Sequence, residues 1–209
     1  MDVTAVIPLK DPAQGKARLS RALATPQRIE LIRAMLAHVA DCLAETPAIA
    51  SVSVLTSGPH LVPRGCGYIS DRGLELNAAV AHAAREVRSR GTAGTLLVVH
   101  ADLPFVTSDE IGALIAASGE DVVVAAPDWA ESGTNALAFP LSRDVTTRFG
   151  AGSLAAHGDA AHAAGLPLVL VRRPGLAEDI DEPAQLRALA DRGGSRYAFL
   201  SDAQSVARS

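Results

Sequence analysis

The chain is poor in cysteine. Its two thiols in 209 residues, Cys42 in a helical pattern and Cys66 in a glycine-flanked turn, form no disulfide framework and fit reduced thiols in a cytosolic protein. Positive charge is not in excess either: a net charge of −4 and a pI near 5.8 provide no basic field for gripping a polyanion such as DNA, so nucleic acid is not expected as a partner. No apolar run approaches the roughly 18 residues of a membrane span. The opening MDVTAVIPLK also lacks the basic start and long apolar core of a signal peptide. The expectation is a cytoplasmic protein with no membrane partner. Repeats, linkers and low-complexity tracts are missing, and the length fits one domain that buries a core without disulfides or structural metal.

Several chemistries are excluded in the same way. There is no Gly-x-Ser-x-Gly elbow, and Cys42 in mid-helix has no activating partner, so covalent nucleophilic catalysis has little support. Gly15-Lys16 lacks both the upstream glycine and the following hydroxyl residue of a Walker A loop, which argues against a P-loop kinase. His157 and His162 are not at the four-residue spacing of a zinc pair, and no zinc is assigned. His100, inside an apolar run, reads as a hydrogen-bonded core residue rather than a ligand. The lone tryptophan, Trp129, reads as core, with the rim of a site as the alternative.

What is present is an alternation of strand and helix. Strands are read at Val3–Leu9, Ser51–Thr56, Gly67–Ser70, Leu96 to Asp102, Asp121–Ala126, Thr134–Phe139 and Leu168–Val171. Ile29, Ile32, Leu36, Val39 and Leu43 recur at three- and four-residue steps after Thr25-Pro26, one face of a helix with a threonine cap and proline at its first position. Further helices are expected at Leu76–Val87, after the Thr107–Glu110 capping box, at Ser153–Ala164 and at Pro183–Asp191. The domain spans 1–192. Residues 193–209 form a polar C-terminal tail in which Tyr197, Phe199 and Leu200 are available to dock.

Three segments carry candidate chemistry. Leu96–Val99 is apolar without alternation, the pattern of a strand buried on both faces. Pro104 ends it, which puts Asp102 where open α/β sheets bind ligands, as a metal-binding carboxylate or as a turn cap. The loop after the first strand places Lys10, Lys16 and Arg18 within nine residues, suited to holding a triphosphate and neutralising a departing pyrophosphate; a solvated basic turn is the alternative. In Glu178-Asp179-Ile180-Asp181-Glu182, alternation in an extended segment sets Asp179 and Asp181 on one side. Four acids in five residues repel unless a cation lies between them, although Asp181 also suits a helix cap. Gly150-Ala151-Gly152-Ser153 ahead of a helix reads as an anion cradle, with Ser153 adding a hydroxyl while capping and Arg148 a bidentate donor. Gly133-Thr134-Asn135 is either a close approach to substrate or a turn.

Taken in order, PLKDPAQGKARLS, HADLPFV, SGTNALAF, RFGAGS followed by LAAH, and EDIDEPAQL resemble the 2-phospho-L-lactate guanylyltransferase family, whose bacterial members include phosphoenolpyruvate guanylyltransferases. The resemblance runs from Val3 to about Leu189. It implies an α/β, single-domain Rossmann-like nucleotidyltransferase fold of the GT-A type, with a mostly parallel central sheet flanked by helices. It also implies a Mg2+-dependent enzyme joining GMP from GTP to a small phospho-carboxylic acid for the deazaflavin coenzyme F(420). That acid would be 2-phospho-L-lactate, phosphoenolpyruvate or 3-phosphoglycerate. Asp102, Asp179 and Asp181 would match the family's metal-binding acids, Thr134, Gly150 and Ser153 its phospho-acid contacts, and Lys10, Lys16 and Arg18 its nucleotide loop. Asn77, in a segment resembling the family's helix start, is the candidate for reading the base. Another nucleotidyltransferase, of molybdopterin or sugar-phosphate type, and a nucleotide-binding regulatory module remain as alternatives, and a homodimer is left open.

Overall fold

The apolar runs at Val3–Pro8, Thr95–Val99, Val123–Pro127 and Thr134–Pro140 form strands buried on both faces. The computed structural model describes residues 2–13 and 15–200. In them β1 (Val3–Pro8), β2 (Ile49–Thr56), β3 (Gly67–Ser70), β4 (Thr95–Val99), β5 (Val123–Pro127), β6 (Thr134–Pro140) and β7 (Leu168–Leu170) share one sheet in the order β3-β2-β1-β4-β6-β5-β7. The helices are α1 (Thr25–Glu45), α2 (Leu76–Ser89), α3 (Ser108–Ala116), α4 (Ser153–Ala163), α5 (Pro174–Ala177) and α6 (Pro183–Arg192). Successive strand residues point to opposite faces. Val3, Ala5, Ile7, Leu97 and Val99 therefore pack with α1, α3 and α6, while Val6, Leu96 and Val98 pack with α2 and α4. Each fully buried leucine or valine contributes about 1.5–3 kcal/mol, so both faces of the sheet work to hold it.

Every pairing is parallel except those of β6, which runs antiparallel to both β4 and β5. The short Asp128–Gly133 connection dictates this, because a tight turn returns the chain antiparallel. Gly133 lies in that turn, where a Cβ would meet the Asp128 carboxylate at 2.5 Å. Strand order reverses beside β1, whose neighbours are β2 and β4, and the crevice at the carboxyl ends of β1 and β4 is where such sheets bind ligands.

Some local expectations are corrected. Ala24, not Thr25, caps α1, and its N–H donates to Gln27 Oε1 at 2.9 Å. Strand β4 stops at Val99, so His100 and Asp102 lie in the turn beyond it. Trp129 is 75% exposed in the turn after β5 instead of packed in the core. The Thr107–Glu110 capping box forms on α3 in both directions. At the C-terminal end Tyr197 and Leu200 are buried in the core and Arg196 pairs with Asp41 at 2.7 Å, so this part of the tail docks; its remainder, 201–209, lies outside the described residues.

Candidate active site

The loop leaving β1 turns inward at Lys16, which adopts left-handed backbone (φ 52°, ψ 42°), a conformation costing a non-glycine residue about 1 kcal/mol or more. The turn brings its ammonium to the acids: Lys16 Nζ lies 2.5 Å from Asp102 Oδ2 and 2.7 Å from Asp181 Oδ1. Burial alone would lower the lysine pKa, but the two carboxylates outweigh it and raise it. Burial likewise works to raise Asp102, and the Lys16 charge and hydrogen bond, with His100 adding to them, hold its carboxyl below the usual range.

The acidic segment closes over this pair. Ile180 is fully buried and its N–H donates to the Asp102 carbonyl at 3.2 Å, so alternation sends Asp179 and Asp181 together toward Asp102. Ligand atoms of Asp102, Asp179 and Asp181 all lie within 4.8 Å of one another. Asp179 is pushed up to about 6, first by burial and then by the charges of Asp102 and Asp181. Glu182 rather than Asp181 caps α6, so capping does not account for Asp181.

Three residues to which the sequence reading gave no part in this site hold this segment and α5 before it. Gln185 donates to the Asp179 carbonyl at 2.6 Å and accepts the N–H groups of Asp181 and Glu182, each at 2.7 Å. Buried Asn135 donates to the Leu176 carbonyl at 3.0 Å, and Glu110 accepts the Gly175 N–H at 2.9 Å. A Cβ on Gly175 would collide with Glu110 and the Phe105 carbonyl, so only glycine lets α5 sit so close.

On the other side of β4 lies a neutral, buried group. Thr134 begins β6 beside the turn that carries Asp102, because the His100 N–H donates to the Asn135 carbonyl. Ser153 and His157, four residues apart on one face of α4, are both buried, as is Thr134. His157 Nε2 accepts the Arg148 N–H at 2.9 Å, and its Nδ1 lies 3.0 Å from Thr134 Oγ1. Burial, with a smaller effect from His100, lowers the His157 pKa to about 4, so the ring is neutral near pH 7. A neutral ring accepting at Nε2 carries its hydrogen on Nδ1 and donates it to Thr134, which leaves the threonine hydrogen free to point at an anion. The spacing of Ser153 and His157 was the available signal for this histidine.

The remaining expectations are distributed as follows. Lys10 is exposed, 4.0 Å from Glu75, and Arg18 is exposed in a short helical turn, so of the three loop cations only Lys16 meets the acids. Asn77 does not offer a free amide: its Nδ2 donates to the Phe149 carbonyl at 2.9 Å and its Oδ1 accepts the Phe149 N–H at 2.7 Å. Gly152, in left-handed backbone, holds the cap position of α4, so Ser153 is not the cap. The backbone cradle is smaller than expected, because the Ser153 N–H goes to the Gly150 carbonyl and the Leu154 N–H to the Ser132 carbonyl. Arg148 is exposed. His100 lines a cavity with Lys16 and Asp102 and packs at 5.1 Å against Phe149 with the rings tilted by 42°, and its buried Nε2 has no partner among the described residues, contrary to the expected hydrogen-bonded core residue.

A family profile described as "Guanylyl transferase CofC like" matches residues 3–200. The chain belongs to this family. It is therefore a nucleotidyltransferase enzyme of the CofC-like group, which acts on a nucleotide and a phosphorylated substrate. A protein named phosphoenolpyruvate guanylyltransferase from Sphaerobacter thermophilus is 39% identical over 194 residues, covering 91% of this chain and 93% of its own. One of the same name from Rubrobacter xylanophilus is 34% identical over 202 residues, covering 94% and 98%. Among solved structures, a protein from Desulfovibrio desulfuricans described as a nucleotide-diphospho-sugar transferase superposes with a TM-score of 0.77 at 16% identity, covering 99% of this chain and 96% of that one. A nucleotidyl transferase from Methanothermobacter gives 0.65 at 15% identity, covering 91% and 97%. At such identities these structures carry the fold, that of nucleotide-diphospho-sugar transferases. Among the described residues no helix is long and apolar enough to cross a membrane.

Proposed function

We propose that this CofC-like enzyme transfers GMP from GTP to the phosphate of a small phospho-carboxylic acid, releasing pyrophosphate, in the biosynthesis of coenzyme F(420). Phosphoenolpyruvate is the acceptor that the relatives' names favour, ahead of 2-phospho-L-lactate and 3-phosphoglycerate. The observation that carries the reading is the convergence of Asp102, Asp179 and Asp181 at the carboxyl ends of β1 and β4, bridged by Lys16. An acceptor phosphate oxygen attacks the α-phosphorus of GTP and a P–O bond forms. The bond from the α-phosphorus to the bridging oxygen breaks, and its electron pair leaves with pyrophosphate, so no enzyme nucleophile is needed.

The acids fit a divalent ion with hard oxygen preference, Mg2+. Besides their mutual approach, Asp102 Oδ1 is buried without a partner among the described residues, an atom that a cation would satisfy. Bound by these carboxylates, Mg2+ supplies Lewis-acid neutralisation of the triphosphate. On this reading Lys16 takes up the charge that develops on the leaving group, and Thr134, whose proton is left free by the His157 hydrogen bond, holds the acceptor together with Ser153.

Pyrophosphate release is the test, measured with GTP and each of the three acids, with Mg2+ and after chelation. The expected result is acceptor-dependent release that requires Mg2+ and is fastest with phosphoenolpyruvate. GTP binding without release for any acceptor would instead support a regulatory module.

A further inference from the structure

We propose that Asp71 reads the Watson–Crick edge of guanine and selects GTP at the donor site, an inference that rests on nucleotidyl transfer at the Lys16–Asp102 edge. A cavity of about 240 Å³ runs along the carboxyl edge of the sheet and includes both Asp102, after β4, and Asp71, after β3. The strand order β3-β2-β1-β4 separates those two strand ends by three spacings, about 14 Å. A nucleotide laid along this edge with its phosphates at Lys16 therefore puts its base toward β3.

The lining changes character along the way. At one end Lys16 and Asp102 are paired with each other. Toward β3 the walls are Leu9, Leu55, Leu74, Leu76 and Ala79, and Leu74 is left 43% exposed, an apolar slot of the kind that takes the faces of a base. Asp71 and Asp102 are the acids of the lining, so at the base end the carboxylate is Asp71.

Asp71 is also held in place. Its N–H donates to the Thr56 carbonyl at 3.0 Å, and its Oδ1 accepts the Gly73 N–H at 2.9 Å, while its Oδ2 has no hydrogen-bond partner among the described residues. Guanine presents adjacent donors, N1–H and the 2-amino group, which match the acceptor-only pair of a carboxylate. Adenine presents a lone pair at N1, which a carboxylate repels. The competing explanation is that Asp71 only shapes its turn, and it predicts lost stability with no preference among nucleotides.

Transfer is measured for the full chain and for Asp71→Asn with GTP, ITP and ATP, ITP lacking the 2-amino group, at constant acceptor and Mg2+. The native protein is expected to prefer GTP to ITP by about tenfold or more and to ATP by a wider margin. Asp71→Asn keeps an oxygen for Gly73. It is expected to lose about tenfold to a hundredfold in kcat/KM for GTP and to bring the GTP-to-ITP ratio toward one, with the acceptor KM unchanged. Calorimetric titration of both proteins with GTP and ATP alone separates this proposal from the transfer reading. Selective GTP binding abolished by the variant supports Asp71 even in a chain that transfers nothing. Selectivity unchanged by the variant, or a native protein that binds both nucleotides alike, overturns it. Asp71→Ser, which retains a hydroxyl acceptor for the turn, is judged by the same criteria if the asparagine variant does not fold.

Discussion

The acids and lysine at the ends of β1 and β4 carry formal charges on loops. The groups around Thr134 are uncharged and mostly held by one another: His157 between Arg148 and Thr134, and Asn77 on both polar atoms of Phe149. The first region is left incomplete. Asp102 Oδ1 has no partner among the described residues, and Asp179 is raised by burial first and by the charges of Asp102 and Asp181 second, a cost that a cation among the acids would relieve. The second is complete without a ligand apart from the proton that Thr134 can turn outward. On the proposed function this division is useful, because charge-handling groups gain from being unsatisfied before substrate arrives, whereas groups that position an acceptor gain from rigidity.

That contrast can be broken at four points. The largest effect is expected for Asp102→Asn, which removes a charge from the centre of the donor region and should lower transfer by about 10³ or more with the fold intact. Near-normal turnover in a folded variant would remove the metal role from this residue. Next comes Lys16→Ala, expected to lower the rate by about 10² and to weaken the GTP response while the acceptor's apparent affinity stays put. A matched loss for both substrates would show that the two regions are not separable.

Ser153→Ala probes the neutral side and should weaken the phospho-acid by about tenfold to a hundredfold, the value of one hydrogen bond to a charged group, with GTP binding unaffected. Because Gly152 holds the cap position, the melting temperature is expected to hold. A lower melting point with normal acceptor affinity would mean that Ser153 serves packing alone.

The smallest effect is on stability and concerns Asp179. A carboxyl raised from 3.8 to about 6 favours the folded chain while it is protonated, and that contribution is lost as pH climbs through about 6. The sign is opposite to that of Asp102, whose lowered pKa gives stability present above its ordinary value and lost on acidification. A rise of that size corresponds to at most about 3 kcal/mol, and partial exposure reduces this to about 1–2 kcal/mol. Asp179→Asn should therefore melt about 2–6 °C higher than the native protein at pH 7, with the gain vanishing near pH 4. An unchanged or lower melting point at pH 7 would show that neither burial nor the neighbouring acids penalise the ionised Asp179.

Much of the fold was legible because its signals are short-range. Continuous apolar runs announced both-face burial in β1 and β4, and Thr107 and Glu110 announced a cap three residues apart. Asp102 and the alternation of Asp179, Ile180 and Asp181 could be read for the same reason. What stayed hidden depends on distant partners. Asn135 acts on a carbonyl 41 positions away, and Asn77 on a main chain 72 positions away, so no local pattern distinguishes such an anchor from a free amide. Trp129 was misplaced because its bulk argues for burial while the turn at Asp128 carries it outward. The antiparallel course of β6 follows from a turn whose composition also fits an ordinary loop.

Lys16 touches an acid 86 positions later and another 165 positions later, which bears on how the protein comes into being. Contacts of such range form late, since the chain between them must first be ordered. On the ribosome, a chain whose first four strands have emerged owns the lysine and Asp102 but not the segment that completes the trio, and N-terminal parts fold first. On the proposed function, competence arrives only after the segment carrying Asp179 and Asp181 has been synthesised. A nascent or prematurely ended polypeptide can possess most of the sheet and still be unable to activate a nucleotide.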